Sequence, residues 1–516
     1  MNGAESLVRT LVAGGVNVCF ANPGTSEMHF VAALDKLDGM RCVLGLFEGV
    51  VTGAADGYYR MARNPASTLL HLGPGLANGL ANLHNARKAG SGVVNIVGEH
   101  ATHHIKHDAP LTSDIEGIAR PVSHWVRTSR SSRSVAQDGA AAMQAARLAP
   151  GQIATLILPA DTAWNEADSV AATLPASRPS RVSREMVVEA ARVLAQGADT
   201  LLLLGGSGLM ERSLEWAGRI SAKTGCRVMA AGFNARVQRG AGRVQVNRVP
   251  YVVDQALGAL QGVRHVVLAG AKNPVSFFAY PDKPSVLTPD GCVSTQLAGV
   301  ERDIEAALED LAAELGATAT PPSFLAQSGR PSLPAGRVTP EGLGAVLGAL
   351  MPEDAIVVDE SVSIGRGLFP LTAGAPPHDW LNNMGGSIGF GLPVAVGAAI
   401  ACPDRKVITL EGDGSGMYTL QALWTMAREG LNVTIVVLAN RSYAILKGEF
   451  ANVGAGTPRQ RATDMMSLDR PNLDWVALAR GHGVEAGRAN DLEELAREFK
   501  SAMAVRGPYL IELIMA

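Results

Sequence analysis

Short apolar runs alternate with longer segments of helical periodicity along most of the chain. In the amino-terminal third these runs occur at Val18–Ala21, Cys42–Phe47, Ser67–Leu70 and Val93–Val97, and segments with helical spacing separate them. Strands that are apolar on both faces and alternate with helices are typical of parallel sheets covered by helices. The pattern therefore predicts an α/β protein.

Two stretches without periodicity divide the chain. Residues 165–183 are rich in Ala, Ser, Pro and Arg, and residues 317–339 are rich in Pro, Gly, Ser and Ala, so both are interpreted as linkers. The segment between them contains a further α/β unit, with a strand at Thr200–Leu204. We predict three domains, each a mainly parallel sheet flanked by helices, at residues 1–164, 184–316 and 338–516.

Composition narrows the classes of function. The chain has 516 residues, of which 47% are hydrophobic, and a formal net charge of −3, so nothing indicates a nucleic-acid partner. Because it has no apolar run of about 18 residues and no signal-peptide pattern, we expect no membrane association. Its five cysteines are scattered without a CxxC pair, which predicts a reduced, cytoplasmic protein.

A pair of strands near the carboxyl terminus carries the most specific chemistry. The strand Val407–Leu410 runs into a Gly-Asp-Gly turn centred on Asp413, and the next strand, Val433–Leu438, leads to Asn440. Since neighbouring parallel strands end at one edge of a sheet, we expect Asp413 and Asn440 to lie side by side. Their oxygens suit Mg2+, and the glycines allow backbone N–H groups to approach a diphosphate. The sequence therefore predicts a site for a metal-bound diphosphate.

A Gly-Asp-Gly turn followed about 25 residues later by Asn resembles the cofactor motif of thiamine diphosphate (ThDP) enzymes. With the three α/β units, the whole chain resembles the ThDP-dependent 2-oxo acid decarboxylase and acetolactate synthase family. It is similar to acetolactate synthase large subunits and also has features of benzoylformate decarboxylase. In that family the first domain holds the pyrimidine, the third holds the diphosphate, and each active site forms between two subunits. The resemblance implies a homodimer or homotetramer acting on a small 2-oxo acid.

The resemblance also implies a set of cofactor contacts in the third domain. Asp413 and Asn440 would ligate Mg2+, together with a backbone oxygen near Ser442. Ile388 matches the bulky aliphatic position that bends the cofactor, although a plain core role is the alternative. Ser363 would be a phosphate contact or, alternatively, a helix cap. The other implied contacts to the cofactor are Gly386, Ser387, Gly412, Gly414, Ser415, Tyr443 and Ala444.

Glu48 is the strongest catalytic candidate. The segment from Leu46 to Tyr58 resembles the family's glutamate segment closely. A carboxyl group buried among apolar neighbours keeps a proton readily and can donate it to N1′ of the aminopyrimidine. The alternative is that a negative charge at a helix amino terminus simply stabilises the helix.

Three further residues resemble substrate contacts. His71 matches a position where benzoylformate decarboxylase carries an active-site histidine, and Thr25 matches its substrate-carboxylate serine. Histidine suits proton transfer near neutral pH, although His71 can equally be structural. Four histidines lie between residues 100 and 107, where an active-site mouth is a better interpretation than a metal site, and His107 is the best candidate among them.

The implied reaction is ThDP- and Mg2+-dependent decarboxylation of a 2-oxo acid. The product would leave as an aldehyde or undergo carboligation to a 2-hydroxy ketone, and the sequence does not choose between these outcomes. The glycines at residues 205–208 lack the full GxGxxG spacing, so FAD is unlikely. The alternatives are a 2-hydroxyacyl-type lyase and a non-catalytic ThDP- or FAD-binding paralogue.

Overall fold

The structure, a computed structural model, describes residues 1–515 and contains three sheets flanked by helices. The elements of the first unit are α1 (Gly3–Ala13), β1 (Val18–Asn22), α2 (Met28–Lys36), β2 (Arg41–Leu44), α3 (Glu48–Ala62), β3 (Ala66–Leu70), α4 (Leu72–Ala89), β4 (Val93–Glu99), α5 (Ile115–Ala119), β5 (Trp125–Thr128), α6 (Val135–Ala146), β6 (Ile153–Pro159) and α7 (Ala160–Trp164). Its six strands form a parallel sheet in the order β2-β1-β3-β4-β6-β5. Every residue of β3, β4 and β6 is buried, since helices cover both faces.

The second unit follows the segment at 165–183, which contains no helix or strand. Its elements are α8 (Arg184–Leu194), β7 (Thr200–Leu204), α9 (Glu211–Thr224), β8 (Arg227–Ala230), β9 (Val237–Arg239), β10 (Asn247–Arg248), α10 (Val253–Leu260), β11 (His265–Ala269), β12 (Val293–Ala298) and α11 (Ile304–Glu314). Five of these strands form a parallel sheet in the order β10-β8-β7-β11-β12.

The third unit starts with a helix whose first turn is set by its sequence. Thr339 accepts a hydrogen bond from the N–H of Gly342, and Pro340 occupies the first helical position. The elements are α12 (Pro340–Leu350), β13 (Ile356–Glu360), α13 (Leu368–Leu371), β14 (His378–Asn382), α14 (Gly391–Ala401), β15 (Val407–Gly412), α15 (Asp413–Gly416), α16 (Ala422–Glu429), β16 (Val433–Ala439), α17 (Ala444–Asn452), α18 (Gln460–Met465), α19 (Trp475–Gly481), β17 (Glu485–Ala489), α20 (Leu492–Ala504) and β18 (Tyr509–Ile514). The sheet order is β17-β18-β16-β15-β13-β14-β9.

The predicted α/β class with mainly parallel sheets is confirmed. The division into domains at 1–164, 184–316 and 338–516 remains a prediction, and β9 crosses it, because this strand of the second unit pairs antiparallel with β14 of the third sheet. Arg239 at the end of β9 is fully buried and its guanidinium lies 3.8 Å from the centre of the Phe369 ring. Burial and the nearby Arg248 lower the pKa of Arg239 to about 9. No helix among residues 1–515 is both long and apolar enough to span a membrane.

The first and third units meet through glycine positions on α3 and α14. A Cβ atom on Gly397 would overlap the carbonyl oxygen of Ala54, and one on Gly57 would overlap the carbonyl oxygen of Val394. The two helices therefore touch through their backbones, which only glycine allows at such close approach. This contact fixes the position of Glu48, the first residue of α3, relative to the third unit.

We expect Gly397→Ala to destabilise the protein by about 2 kcal/mol or more, because the added methyl group meets backbone that cannot move aside. The unfolding midpoint in a thermal melt should fall by several degrees. Gly258→Ala is the matched control: Gly258 lies in α10 with open space around its Cβ position, so alanine should leave stability unchanged or raise it by up to about 1 kcal/mol. Equal melting curves for the two variants would contradict the close helix contact.

Candidate active site

Asp413 and Asn440 lie at the same edge of the third sheet. Their strands, β15 and β16, are parallel neighbours, and Gly412 pairs with Leu438 immediately before the two loops. Oδ2 of Asp413 accepts a hydrogen bond of 2.6 Å from the N–H of Arg441, the residue after Asn440. The two loops are thus in direct contact, which is the arrangement that a shared cation requires.

The environment of Asp413 suits a cation. Its carboxyl group is buried, and burial raises the pKa of Asp413 to about 6 although the N–H groups of Arg441 and Gly414 act in the opposite direction. Oδ1 of Asn440 accepts a 3.0 Å hydrogen bond from the N–H of Ser442, so the loop is already folded around its polar atoms. A divalent ion here would find a carboxylate and an amide oxygen, which are ligands that Mg2+ prefers.

The turn after β15 packs closely against Tyr443. Gly414 is buried, and a Cβ atom on it would lie 2.5 Å from the ring of Tyr443. The hydroxyl of Ser415, a predicted diphosphate contact, instead donates to Oε1 of Glu411 at 2.7 Å. Only the backbone of Ser415 therefore remains available for a phosphate. Ala444, the last predicted contact in this region, opens α17.

The loop at residues 385–389 lies between the first and third units. Gly386 has a positive φ of 77°, and a Cβ atom on it would lie 2.7 Å from the ring of Phe277. The carbonyl oxygen of Ser387 accepts hydrogen bonds from Asn383 at 2.6 Å and from Asn85 at 2.9 Å. Ile388 is half-buried immediately after this anchored residue. Hydrogen bonds from the first unit and from the third unit thus hold the loop in place, and Ile388 is the residue that follows them.

Ser363 precedes the short 3-10 helix at residues 364–367 and its side chain is half-buried. It makes no side-chain hydrogen bond to that helix, so the helix-cap alternative has no support in the structure. The residue before it, Val362, adopts a positive φ of 45°, an unfavourable backbone conformation for a β-branched side chain. Strain of this kind is common at functional sites.

Glu48 is buried at the amino end of α3, and its Oε2 accepts a 3.0 Å hydrogen bond from Nδ2 of Asn78. Asn78 is the first of three asparagines on one face of α4, a stripe that the sequence analysis missed although its spacing of four and three residues was readable. Asn82 donates to the carbonyl oxygens of Gly49 and Gly389, and the next asparagine, Asn85, reaches the 385–389 loop. The stripe therefore links Glu48 to the third unit.

Glu27 was also missed, and it forms a polar pair with His71. Its side chain is buried, and Oε2 accepts hydrogen bonds of 2.7 Å from Nδ1 of His71 and from the N–H of Gly24. A Cβ atom on Gly98 would overlap Oε1 of Glu27, so the carboxylate rests directly on β4. A carboxylate oxygen accepts hydrogen bonds, so the contact favours a hydrogen on Nδ1 of His71.

Thr25 and His107 occupy exposed positions. Thr25 is the first residue of the short 3-10 helix Thr25–Glu27. The hydrogen bond between Glu27 and His71 therefore holds the segment that carries Thr25 next to His71. His107 lies in an exposed loop with its ring centre 5.6 Å from that of His104. Within residues 1–515, no described hydrogen bond joins His107 to Glu48 or His71.

Two buried carboxyl groups, also missed, lie behind Asp413. Glu360 at the end of β13 accepts hydrogen bonds from the N–H groups of Phe390 and Gly391 at 2.8 and 2.6 Å. Burial raises the pKa of Glu360 to about 7, and burial beside Glu360 raises the pKa of Glu411 well above its ordinary range. A pair of this kind holds a proton between its members, and it fixes the first turn of α14 against β13 and β15.

Comparison with known proteins places both halves of this site in one family. The family description "Thiamine pyrophosphate enzyme, N-terminal TPP binding domain" matches residues 1–118, which include Glu48 and His71. The description "Thiamine pyrophosphate enzyme, C-terminal TPP binding domain" matches residues 368–513, which include Asp413 and Asn440. Thiamine pyrophosphate is another name for ThDP.

Relatives of similar length match the whole chain. A Mycobacterium tuberculosis protein named "Putative acetolactate synthase large subunit IlvX" is 51% identical over 100% of this chain and 99% of its own length. The benzoylformate decarboxylase of Pseudomonas aeruginosa is 29% identical over 97% of this chain and 96% of its own. The solved structure of a ThDP-dependent 4-hydroxybenzoylformate decarboxylase from Rhodococcus jostii RHA1 matches with a TM-score of 0.88 and 26% identity, covering 100% of this chain and 99% of that one.

We expect Glu27→Gln to release the fixed tautomer of His71, because an amide donates as well as accepts hydrogen bonds. Nitrogen NMR of protein labelled at histidine should show His71 mainly in the Nδ1–H form in the wild type and as a mixture in the variant. Glu99→Gln is the matched control, since the Glu99 carboxylate accepts from the N–H of His100 at 2.7 Å instead. An unchanged His71 signal in Glu27→Gln would show that the carboxylate does not set the tautomer.

Proposed function

The chain belongs to the thiamine diphosphate enzyme family, and we propose that it uses ThDP and Mg2+ to remove CO2 from a 2-oxo acid. The observation that carries the proposal is the pairing of two sites: an oxygen-rich loop junction at Asp413 and Asn440, and a buried, hydrogen-bonded carboxyl group at Glu48. A protein that only bound the cofactor would have no chemical use for a buried acid at Glu48. The free thiols of all five cysteines fit a reduced, cytoplasmic setting.

The residues at the third sheet fit a metal-bound diphosphate. Asp413 and Asn440 would hold Mg2+, with a backbone oxygen near Ser442 as a third ligand. The diphosphate would lie on the backbone of the 412–415 turn, where Gly412 and Gly414 have no side chain to keep it from the N–H groups. Further contacts would come from Ser363, Gly386, Ser387, Tyr443 and Ala444. Ile388, held between two anchored residues, would support the bent form of the cofactor.

When bound, ThDP supplies the nucleophilic carbon and the electron sink for decarboxylation. Glu48 holds a proton at N1′ of the pyrimidine, and Asn78 orients the carboxyl group through its 3.0 Å hydrogen bond. His71 presents Nε2 for proton transfer at the reacting carbon, because Glu27 occupies Nδ1. Thr25, on the loop tied down by Glu27, contacts the substrate carboxylate, and His107 lines the mouth of the site.

Proton delivery by His71 favours release of an aldehyde as the outcome. Carboligation to a 2-hydroxy ketone is the second candidate, and the 51% identity to a protein named as an acetolactate synthase large subunit favours it. Both outcomes begin with the same loss of CO2. FAD has no part in either proposal.

We propose that the active enzyme is at least a homodimer in which Glu48 of one chain faces Asp413 of the other. Within one chain, the described hydrogen bonds of Glu48 remain in the first unit and those of Asp413 remain in the third. Apolar side chains beside both groups are exposed: Leu46 is 47% exposed, Leu446 is 47% exposed and Met465 is 77% exposed. A second copy of the chain would cover these side chains.

The decarboxylation proposal is tested with apo-protein supplied with ThDP and Mg2+. Incubation with aliphatic and aryl 2-oxo acids should release CO2 from at least one of them, and removal of Mg2+ by chelation should abolish the release. Aldehyde and 2-hydroxy ketone products, separated by chromatography, distinguish the two outcomes. Absence of CO2 from every acid would exclude decarboxylation.

A site shared between two chains also predicts that two inactive variants recover activity when they form mixed dimers. Glu48→Gln and Asp413→Ala should each lower kcat/KM about 100-fold or more, because one removes an acid group and the other a metal ligand. Each mixed dimer would contain one intact site, so refolding the two variants together should restore about a quarter of the wild-type activity. Refolding either variant with itself is the control. No recovery on mixing, with both variants folded, would place Glu48 and Asp413 in the same chain's site.

A further inference from the structure

Five aromatic side chains of the second unit form a cluster, which we call the aromatic patch: Phe233, Tyr251, Phe277, Phe278 and Tyr280. Phe277 is at its centre, with ring-centre distances of 5.3 Å to Phe233, 5.6 Å to Tyr251 and 4.9 Å to Phe278. Three of its rings are exposed, since Phe233, Phe277 and Phe278 are 39%, 41% and 51% exposed, while Tyr280 packs against the core of the second unit. Exposed aromatic rings that pack against one another are typical of binding surfaces.

The patch lies against three segments of the third unit that border the proposed cofactor site. The ring of Phe277 covers Gly386 in the 385–389 loop. The guanidinium of Arg366, three residues after Ser363, lies 4.4 Å from the centre of the Tyr251 ring. Tyr251 also donates a 3.5 Å hydrogen bond to Oε1 of Glu449, on the helix that follows the Asn440 loop. The patch therefore borders the loops that are proposed to hold the cofactor.

Glu449 has a polar atom that the protein does not use. Its Oε2 is buried and has no hydrogen-bond partner of good geometry among residues 1–515, although the phenol of Tyr280 lies beside the carboxylate. Burying a carboxylate oxygen without a partner costs stability, so such an atom calls for an explanation. The phenols of Tyr251 and Tyr280 remain neutral donors beside it, because burial and the contact with Glu449 raise the pKa of Tyr280. A ligand that donates a hydrogen bond would complete the set around Glu449.

The charges near Glu449 restrict what that donor can be. The guanidinium of Arg366, 4.4 Å from the centre of the Tyr251 ring, supplies a positive charge, which disfavours an ammonium group on the ligand. A neutral donor avoids this repulsion and still forms a charge-assisted hydrogen bond to the carboxylate. The exposed ring faces of the patch fit a flat aromatic group better than a short aliphatic one.

We propose that the aromatic patch and Glu449 bind the side group of the substrate, and that this group is an aromatic ring carrying a neutral hydrogen-bond donor such as a phenolic hydroxyl. The inference rests on the proposed function, since it places the ring on a 2-oxo acid held at the ThDP site. Glu449 is then a specificity-determining residue: it selects the hydroxylated ring over the unsubstituted one.

The test measures binding separately from turnover. Mandelate and 4-hydroxymandelate carry a hydroxyl in place of the 2-oxo group, so they cannot be decarboxylated by the proposed route. Their Kd values for the ThDP- and Mg2+-loaded protein are measured by calorimetry. The hydroxylated acid should bind about tenfold tighter to the wild type, as expected for one hydrogen bond to a charged group. If no 2-oxo acid is turned over, the proposed function is wrong. The comparison of Kd values does not depend on turnover and still tests the inference about Glu449.

Variants identify which residue is responsible for the preference for the hydroxylated acid. Glu449→Leu should bring the two Kd values within about twofold of each other, and the more conservative Glu449→Gln should reduce the preference in the same direction. Phe277→Ala should weaken both acids equally, because it removes ring contact and no polar group. Lys447→Ala, at an exposed position on the same helix, should keep the preference. Equal Kd values in the wild type, or a preference that survives in folded Glu449→Leu, would overturn the proposal.

Discussion

The backbone contact between α3 and α14 is the constraint on which the rest of the arrangement depends. Because Gly57 and Gly397 lack side chains, each helix approaches until its Cα atoms meet carbonyl oxygens of the other. Glu48 begins α3, and the asparagine stripe on α4 connects that end to the loop before α14. The position of the Glu48 carboxyl group is thus set by helix packing, and a small shift of α3 would move Glu48 and its partners together.

Buried carboxyl groups are concentrated at the strand ends of the first and third sheets. Glu27, Glu48, Glu360 and Glu411 all lie there, and each is buried. A buried carboxyl group without partners is costly, and here backbone N–H groups, an asparagine, a histidine and the Ser415 hydroxyl supply hydrogen bonds. Burial raises the pKa of Glu360 and of Glu411, so these two carboxyl groups keep a proton more readily than an exposed glutamate does.

Periodicity and strand adjacency were sufficient to predict the parallel sheets and the closeness of Asp413 and Asn440, because both follow from local sequence and from parallel topology. The contacts of Glu27 with His71 and Gly98 could not be predicted in this way. These residues lie 44 and 71 positions further along the chain, and only the folded sheet brings them together. The pairing of β9 with β14 was hidden for the same reason: three residues of strand carry no periodic signal of their own.

In the proposed function, the residues for the cofactor and those for the substrate side group belong to different units. The first and third units contribute Glu48, Asp413 and Asn440, whose proposed roles depend only on the cofactor. The second unit contributes side chains that touch the cofactor loops from outside, as Phe277 does at Gly386. Because β9 pairs with β14 of the third sheet, it fixes the position of the second unit relative to those loops. If the proposals hold, changes in the aromatic patch alter which side group is accepted and leave Glu48, Asp413 and Asn440 in place.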